Sequence, residues 1–115
     1  MSYPNDQGNP AGAIPVYVTE GAQNPSTIYT DQQAVTATAT PLTAQALVNG
    51  IVLTASPLNS ISVLVGGSGV TATNDGTGNG YALAPGQSIS FGVTNTSAVY
   101  VIASTTGAFV SVAGN

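Results

Sequence analysis

The chain has 115 residues, 43% of them apolar and only 3% charged, with no Lys, Arg, His or Cys; Asp6, Glu20, Asp31 and Asp75 give a net charge of −4. This is enough for one domain with a core, but it lacks the cations that hold phosphate backbones or anionic lipid surfaces, so neither nucleic acid nor a membrane is expected as a partner. The missing His, Cys and Lys also exclude Ser-His-Asp triads, thiol nucleophiles, Schiff bases and the usual zinc sites. A surface of Ser, Thr, Asn, Gln and Gly packs against copies of itself without burying unpaired ions, which favours an assembly subunit.

In chain order, Met1 to Gly12 is rich in Pro, Gly and Asn and aperiodic, as expected of an extended arm. It lacks the basic and apolar regions of a secretory signal, and no apolar run along the chain reaches the length of a membrane span. Ile14-Pro15-Val16-Tyr17-Val18-Thr19 is strand-like, with Pro15 suited to an edge, and Glu20 to Pro25 is a break. Ser26 to Thr30 is a weak strand. Gln33 to Thr40 alternates small apolar residues with Thr, the period of a half-buried strand that Pro41 interrupts. Ala46 to Ala55 is a strand region containing Asn49-Gly50, either a hairpin turn or a bulge.

Further on, Ile61, Val63 and Val65 alternate with Ser60, Ser62 and Leu64 before Gly66-Gly67-Ser68-Gly69. Val70 to Thr73 is a short strand ahead of a Gly/Asn loop over 74–80. Tyr81 to Leu83 leads to a turn at Ala84-Pro85-Gly86. Ile89, Phe91 and Val93 alternate with polar residues, and Val99 to Ala103 and Phe109 to Val112 complete the pattern. No window has helical periodicity. Some seven or eight short strands separated by Gly/Pro/Asn turns predict an all-β fold, an antiparallel β-sandwich, jelly-roll-like or Ig-like, over 20–115, with an extended N-terminal arm over 1–19.

Few residues offer chemistry. Glu20 and Asp31 are the only close carboxylate pair, and both sit in polar, turn-like surroundings. Gly66 to Gly69 lacks the Lys of a phosphate loop and the helix of a dinucleotide fingerprint. The 74–80 loop has oxygen ligands but one carboxylate, Asp75, which fits a surface loop better than a calcium site. Of the aromatic residues, Phe91 shares a register with Ile89 and Val93 and belongs in the core, while Tyr100 is out of phase with its neighbours and can face either way. Tyr3, Ile14, Pro15, Val16, Tyr17 and Val18, in or next to the arm, are expected to dock on another chain. No cofactor, metal site or enzymatic activity is expected.

The C-terminal half carries a pattern. A Val-rich strand, Asn59 to Gly67, ends in glycine; Gly80-Tyr81-Ala82-Leu83-Ala84-Pro85-Gly86-Gln87-Ser88-Ile89 follows, and then Ala98-Val99-Tyr100-Val101-Ile102-Ala103 and Gly107 to Val112. Over about half the chain this resembles small bacteriophage virion proteins, head decoration or cement proteins among them. The resemblance implies a compact β-sandwich on a virion, binding the major capsid protein or other virion proteins as a homo-oligomer, a trimer being favoured where a lattice has threefold positions. A tail, collar or head-fibre component and a glycan-binding module using exposed tyrosines are the alternatives.

Overall fold

A computed structural model describes residues 25–115. Eight strands are present among them: β1 Tyr29–Val35, β2 Thr40–Pro41, β3 Ile51–Ala55, β4 Val63–Gly66, β5 Tyr81–Leu83, β6 Ser88–Phe91, β7 Tyr100–Ala103 and β8 Ala108–Gly114. One 3-10 turn, Thr96–Ala98, is capped by Asn95, whose side chain accepts from the Ser97 N–H. The strands form two four-stranded sheets in the orders β1-β8-β3-β6 and β2-β7-β4-β5, with every pairing antiparallel. β1 pairs with β8, β2 with β7, β3 with β6 and β4 with β5, so the pairs nest like one long hairpin rolled over on itself. Of the two sandwich types expected, this connectivity is the jelly roll.

Period-two alternation fills the core. Val35, Leu53, Val110 and Val112 enter from the first sheet, and Val63, Val65, Leu83 and Val101 from the second, all fully or almost fully buried. In register, Leu53 lies opposite Val112 and Val65 opposite Val101, so branched aliphatic side chains stack across strands on the buried face. Each of the larger side chains contributes about 1.5–3 kcal/mol by burial. Phe91 is half-buried against this core, as its register predicts.

Several element boundaries differ from the sequence pattern. The Ala/Thr alternation over 33–40 is not one strand. β1 ends at Val35; the Thr38 N–H turns back to Thr36 Oγ1 (3.3 Å), and the Thr36 carbonyl accepts from the Ala103 N–H of the opposite sheet at 2.9 Å. The chain changes sheets there, and Pro41 sits on the edge strand β2, where its missing N–H costs nothing. Within 46–55 only Ile51–Ala55 is a strand. Asn49-Gly50 precedes it and makes no hairpin; Gly50 has φ +113°, and a Cβ there would collide with the Phe91 carbonyl. Val70 to Thr73 is loop, because the Thr71 N–H is taken by the Asn79 carbonyl at 2.7 Å, within the 67–80 excursion itself. The predicted turn at Ala84-Pro85-Gly86 is present, with Gly86 at φ +87° and the Gln87 N–H donating to the Ala84 carbonyl.

Candidate functional site

The two sheets treat their outer faces differently. On the β2-β7-β4-β5 sheet, Leu64 and Ile102 point outward yet are only 3% and 7% exposed, because the 67–80 loop folds back and lays Val70 over them. The loop is tied down by Asn79, whose N–H donates to Thr71 Oγ1 (2.9 Å) and whose Nδ2 donates to the Gly69 carbonyl (3.1 Å). Gly80 permits the close approach; a Cβ there would stand 2.6 Å from Val70 Cγ2. Tyr100 packs on the same cluster, which settles its direction.

Among the described residues, nothing comparable covers the outer face of the β1-β8-β3-β6 sheet. One row reads Thr30, Ala113, Val52, Ser90 across the strands, the next Gln32, Ser111, Thr54, Ser88, and the third begins Ala34, Phe109. None of these side chains is ionisable. Val52 is 44% and Phe109 51% exposed. Within the middle row, Thr54 Oγ1 and Ser88 Oγ share a hydrogen bond of 2.7 Å. Three shallow depressions join along the face. One of about 490 Å³ includes Ile28, Val52, Phe91 and Ala113; one of about 280 Å³ lies over Gln32, Thr54 and Ser111; and one of about 390 Å³ includes Leu58, Asn59 and Phe109.

Phe109 is held in place by its backbone. Asn59, almost fully buried, donates from Nδ2 to the Phe109 carbonyl (3.0 Å) and accepts from the Phe109 N–H at Oδ1 (2.9 Å). The Ser56 N–H donates to the same carbonyl at 3.0 Å. The side-chain amide thus takes over the acceptor that Ser56 would otherwise supply to the Phe109 N–H and adds a second donor to its carbonyl, and the ring is presented outward beside Leu58, which is 93% exposed. Covering the exposed parts of Ile28, Val52, Leu58 and Phe109 would contribute about 1–2 kcal/mol each.

Ionisable groups are sparse: of the two carboxylates among the described residues, Asp31 lies at the rim of the middle depression and Asp75 in the 67–80 loop. Asp31 occupies the opposite parity of edge strand β1 and accepts from the Tyr29 hydroxyl at 3.3 Å. Burial, and after it the Asp31 charge, push the Tyr29 phenol above its usual range. The carboxylate of Asp75 accepts from the Thr77 N–H and hydroxyl at 3.0 and 2.6 Å, which holds it below the usual range. Among the described residues no three carboxylates lie together. The other half of the Glu20–Asp31 pair, Glu20, lies outside the described residues. So do Tyr3, Ile14, Pro15, Val16, Tyr17 and Val18, the docking residues expected from sequence.

Sequence reasoning missed the outer face. Ile51-Val52-Leu53 is apolar throughout, so its inward and outward positions cannot be separated without the partner strands. The available signal was Phe109 and Leu58, large apolar residues next to turn residues. Comparison with protein-family models, with curated proteins and with solved structures found no match to this chain.

Proposed function

We propose that this chain is a non-enzymatic structural subunit of a bacteriophage particle, a decoration or cement protein that binds the outer capsid surface and stabilises the shell. The observation that carries the reading is the outer face of the β1-β8-β3-β6 sheet, whose outward rows carry no charged side chain and which no described residue covers, with Val52 and Phe109 exposed while its counterpart is sealed. Such a face suits protein contact repeated over a lattice, where many modest interfaces add up. The jelly roll supports the reading as an architecture used in viral capsids, although lectins use it too and fold alone does not assign function. In this proposal residues 1–19, with Tyr3 and Ile14 to Val18, dock on the major capsid protein or another virion protein by backbone pairing that needs no charge.

The copy number of the chain relative to the major shell protein, measured in gradient-purified particles by quantitative mass spectrometry, tests this. Copies on the order of hundreds, in a simple ratio to the shell protein, are expected of a shell decoration. A dozen or fewer would move the chain to the tail or collar, and absence would refute the virion reading. A glycan platform draws less support, since of Tyr29, Tyr81 and Tyr100 only Tyr81 is largely exposed.

A further inference from the structure

We infer that two copies of this chain pair face to face through the outer face of the β1-β8-β3-β6 sheet, about a twofold axis crossing the strands near Ser111. The inference rests on the reading of this face as a protein contact and names its partner.

Charge selects the partner. About a quarter of the residues of an ordinary protein are charged, and each such group laid on this face would lose water without gaining a counter-ion. The chain has no cation to offer, and Asp31, at the margin of the face, is engaged by Tyr29. A second copy of the same face brings no charged side chain on its outward rows; its Asp31 carboxylate stays at the rim of the middle depression, with the Tyr29 hydroxyl as a donor.

Geometry sets the axis. Along β8, Phe109, Ser111 and Ala113 succeed one another on the outer side. A twofold axis through the Ser111 row sends the Phe109 and Leu58 end of one copy over the depression beside Ile28 and Val52 of the other. It also opposes each Gln32-Ser111-Thr54-Ser88 row with its own counterpart. Hydroxyls and amides both donate and accept, so such a row is complementary to itself. Four strands at about 4.8 Å spacing and seven residues at about 3.4 Å give a face of roughly 19 by 24 Å. That is smaller than the roughly 800 Å² per partner of a standard interface, which places the free pair in the micromolar range or weaker.

The test uses the full chain. Sedimentation equilibrium from about 5 to about 500 µM is expected to show the average mass rising from 11.3 kDa toward twice that value. Val52→Glu should weaken the association at least about tenfold, because it would place two unpaired carboxylates in the contact. The native chain has no cysteine, so a short bis-maleimide reagent, able to span the roughly 10 Å between facing sheets, should link Ser111→Cys near the axis into a dimer and leave Thr77→Cys in the 67–80 loop monomeric. If Val52→Glu fails to fold, the two cysteine variants still decide. A chain that stays at monomer mass, or whose association is indifferent to Val52→Glu, or that cross-links equally through Thr77→Cys, overturns the pairing. A monomeric chain abundant in particles would overturn the pairing and leave the coat reading standing; a paired chain absent from particles would do the reverse.

Discussion

Asn59 is the residue whose replacement tests the construction of the exposed face most sharply. Its amide makes two bonds to the Phe109 backbone, but the two are not equivalent. The Phe109 carbonyl keeps a second donor, the Ser56 N–H at 3.0 Å, so losing Nδ2 costs about 0.5–1.5 kcal/mol. The Phe109 N–H points to the same side of β8, away from β1, and Asn59 Oδ1 is its acceptor. Leaving that N–H unpaired costs a further 1–3 kcal/mol or so. Asn59→Ala should therefore destabilise by about 2–4 kcal/mol, lowering Tm by roughly 10–25 °C for a domain of this size.

Asn59→Asp separates the two bonds. Its carboxylate can accept from the Phe109 N–H but sets a second oxygen against the Phe109 carbonyl, whereas the protonated acid restores both bonds. Folding thus favours the neutral form and raises the pKa of the introduced acid. The recovered stability is fully present below the unfolded pKa and lost as pH rises through the folded one. Thermal melts by circular dichroism at neutral and acid pH, referred to wild type at each pH, measure both effects. A loss under about 0.5 kcal/mol for Asn59→Ala, or no relative recovery of Asn59→Asp in acid, would refute the idea that this amide holds Phe109 in place.

Three further outcomes are expected. Leu53→Ala, at a fully buried position between Val112 and Ile89, should cost about 2–5 kcal/mol in urea unfolding with little change in m-value. Gly50→Ala should cost at least about 1–3 kcal/mol, since the backbone at φ +113° is strained for any side chain and the Phe91 carbonyl blocks the Cβ; a neutral effect in the same assay would count against the close approach of β3 and β6. Tyr29 favours its neutral form in the fold, so its contribution holds at lower pH and fades as pH rises through its raised pKa. Asp31→Asn should bring that pKa part of the way down, with burial, the larger cause, still acting; an NMR titration of the ring that showed no change would contradict the Tyr29–Asp31 contact.

Where large apolar residues alternate with Ser or Gly, at 61–65 and 89–93, and where β-branched and aromatic residues run together, at 99–103 and 109–112, sequence alone locates the strands to within a residue or two, because a large apolar face favours the one register that buries it. Ala and Thr are too small and too similar to mark a face, so the alternation over 33–40 hid the passage from one sheet to the other at Thr36. Asp31-Gln32-Gln33 looks unlike a strand, yet lies within β1, an edge where polar groups find partners: Gln33 Nε2 donates to the Pro41 carbonyl at 3.0 Å, and its Oε1 accepts from the Thr43 N–H at 2.8 Å. Val70, β-branched and apolar, has the sequence character of a strand residue, but its role as the cover over Leu64 and Ile102 depends on glycines whose close approaches appear only in three dimensions. The open face was illegible for the same reason. It is defined by the absence of any described residue folded over it.

That difference between the two outer faces bears on how the chain would behave before joining the proposed coat. With two carboxylates and no cation among the described residues, charge gives free subunits little protection against sticking together. Protection must come from dilution of the apolar surface instead. Val52 and Phe109 are set among Ser, Thr, Gln and Ala, so no broad hydrophobic patch forms, and the apolar Leu64 and Ile102 of the other sheet are sealed under Val70. Edge strand β1 carries Asp31 on its inward parity, a device that discourages uncontrolled strand addition. On the proposed reading, what is left among the described residues is one modest contact surface, too weak to aggregate single copies at low concentration. It becomes effective when many copies are held side by side, where each contact raises the effective concentration for the next.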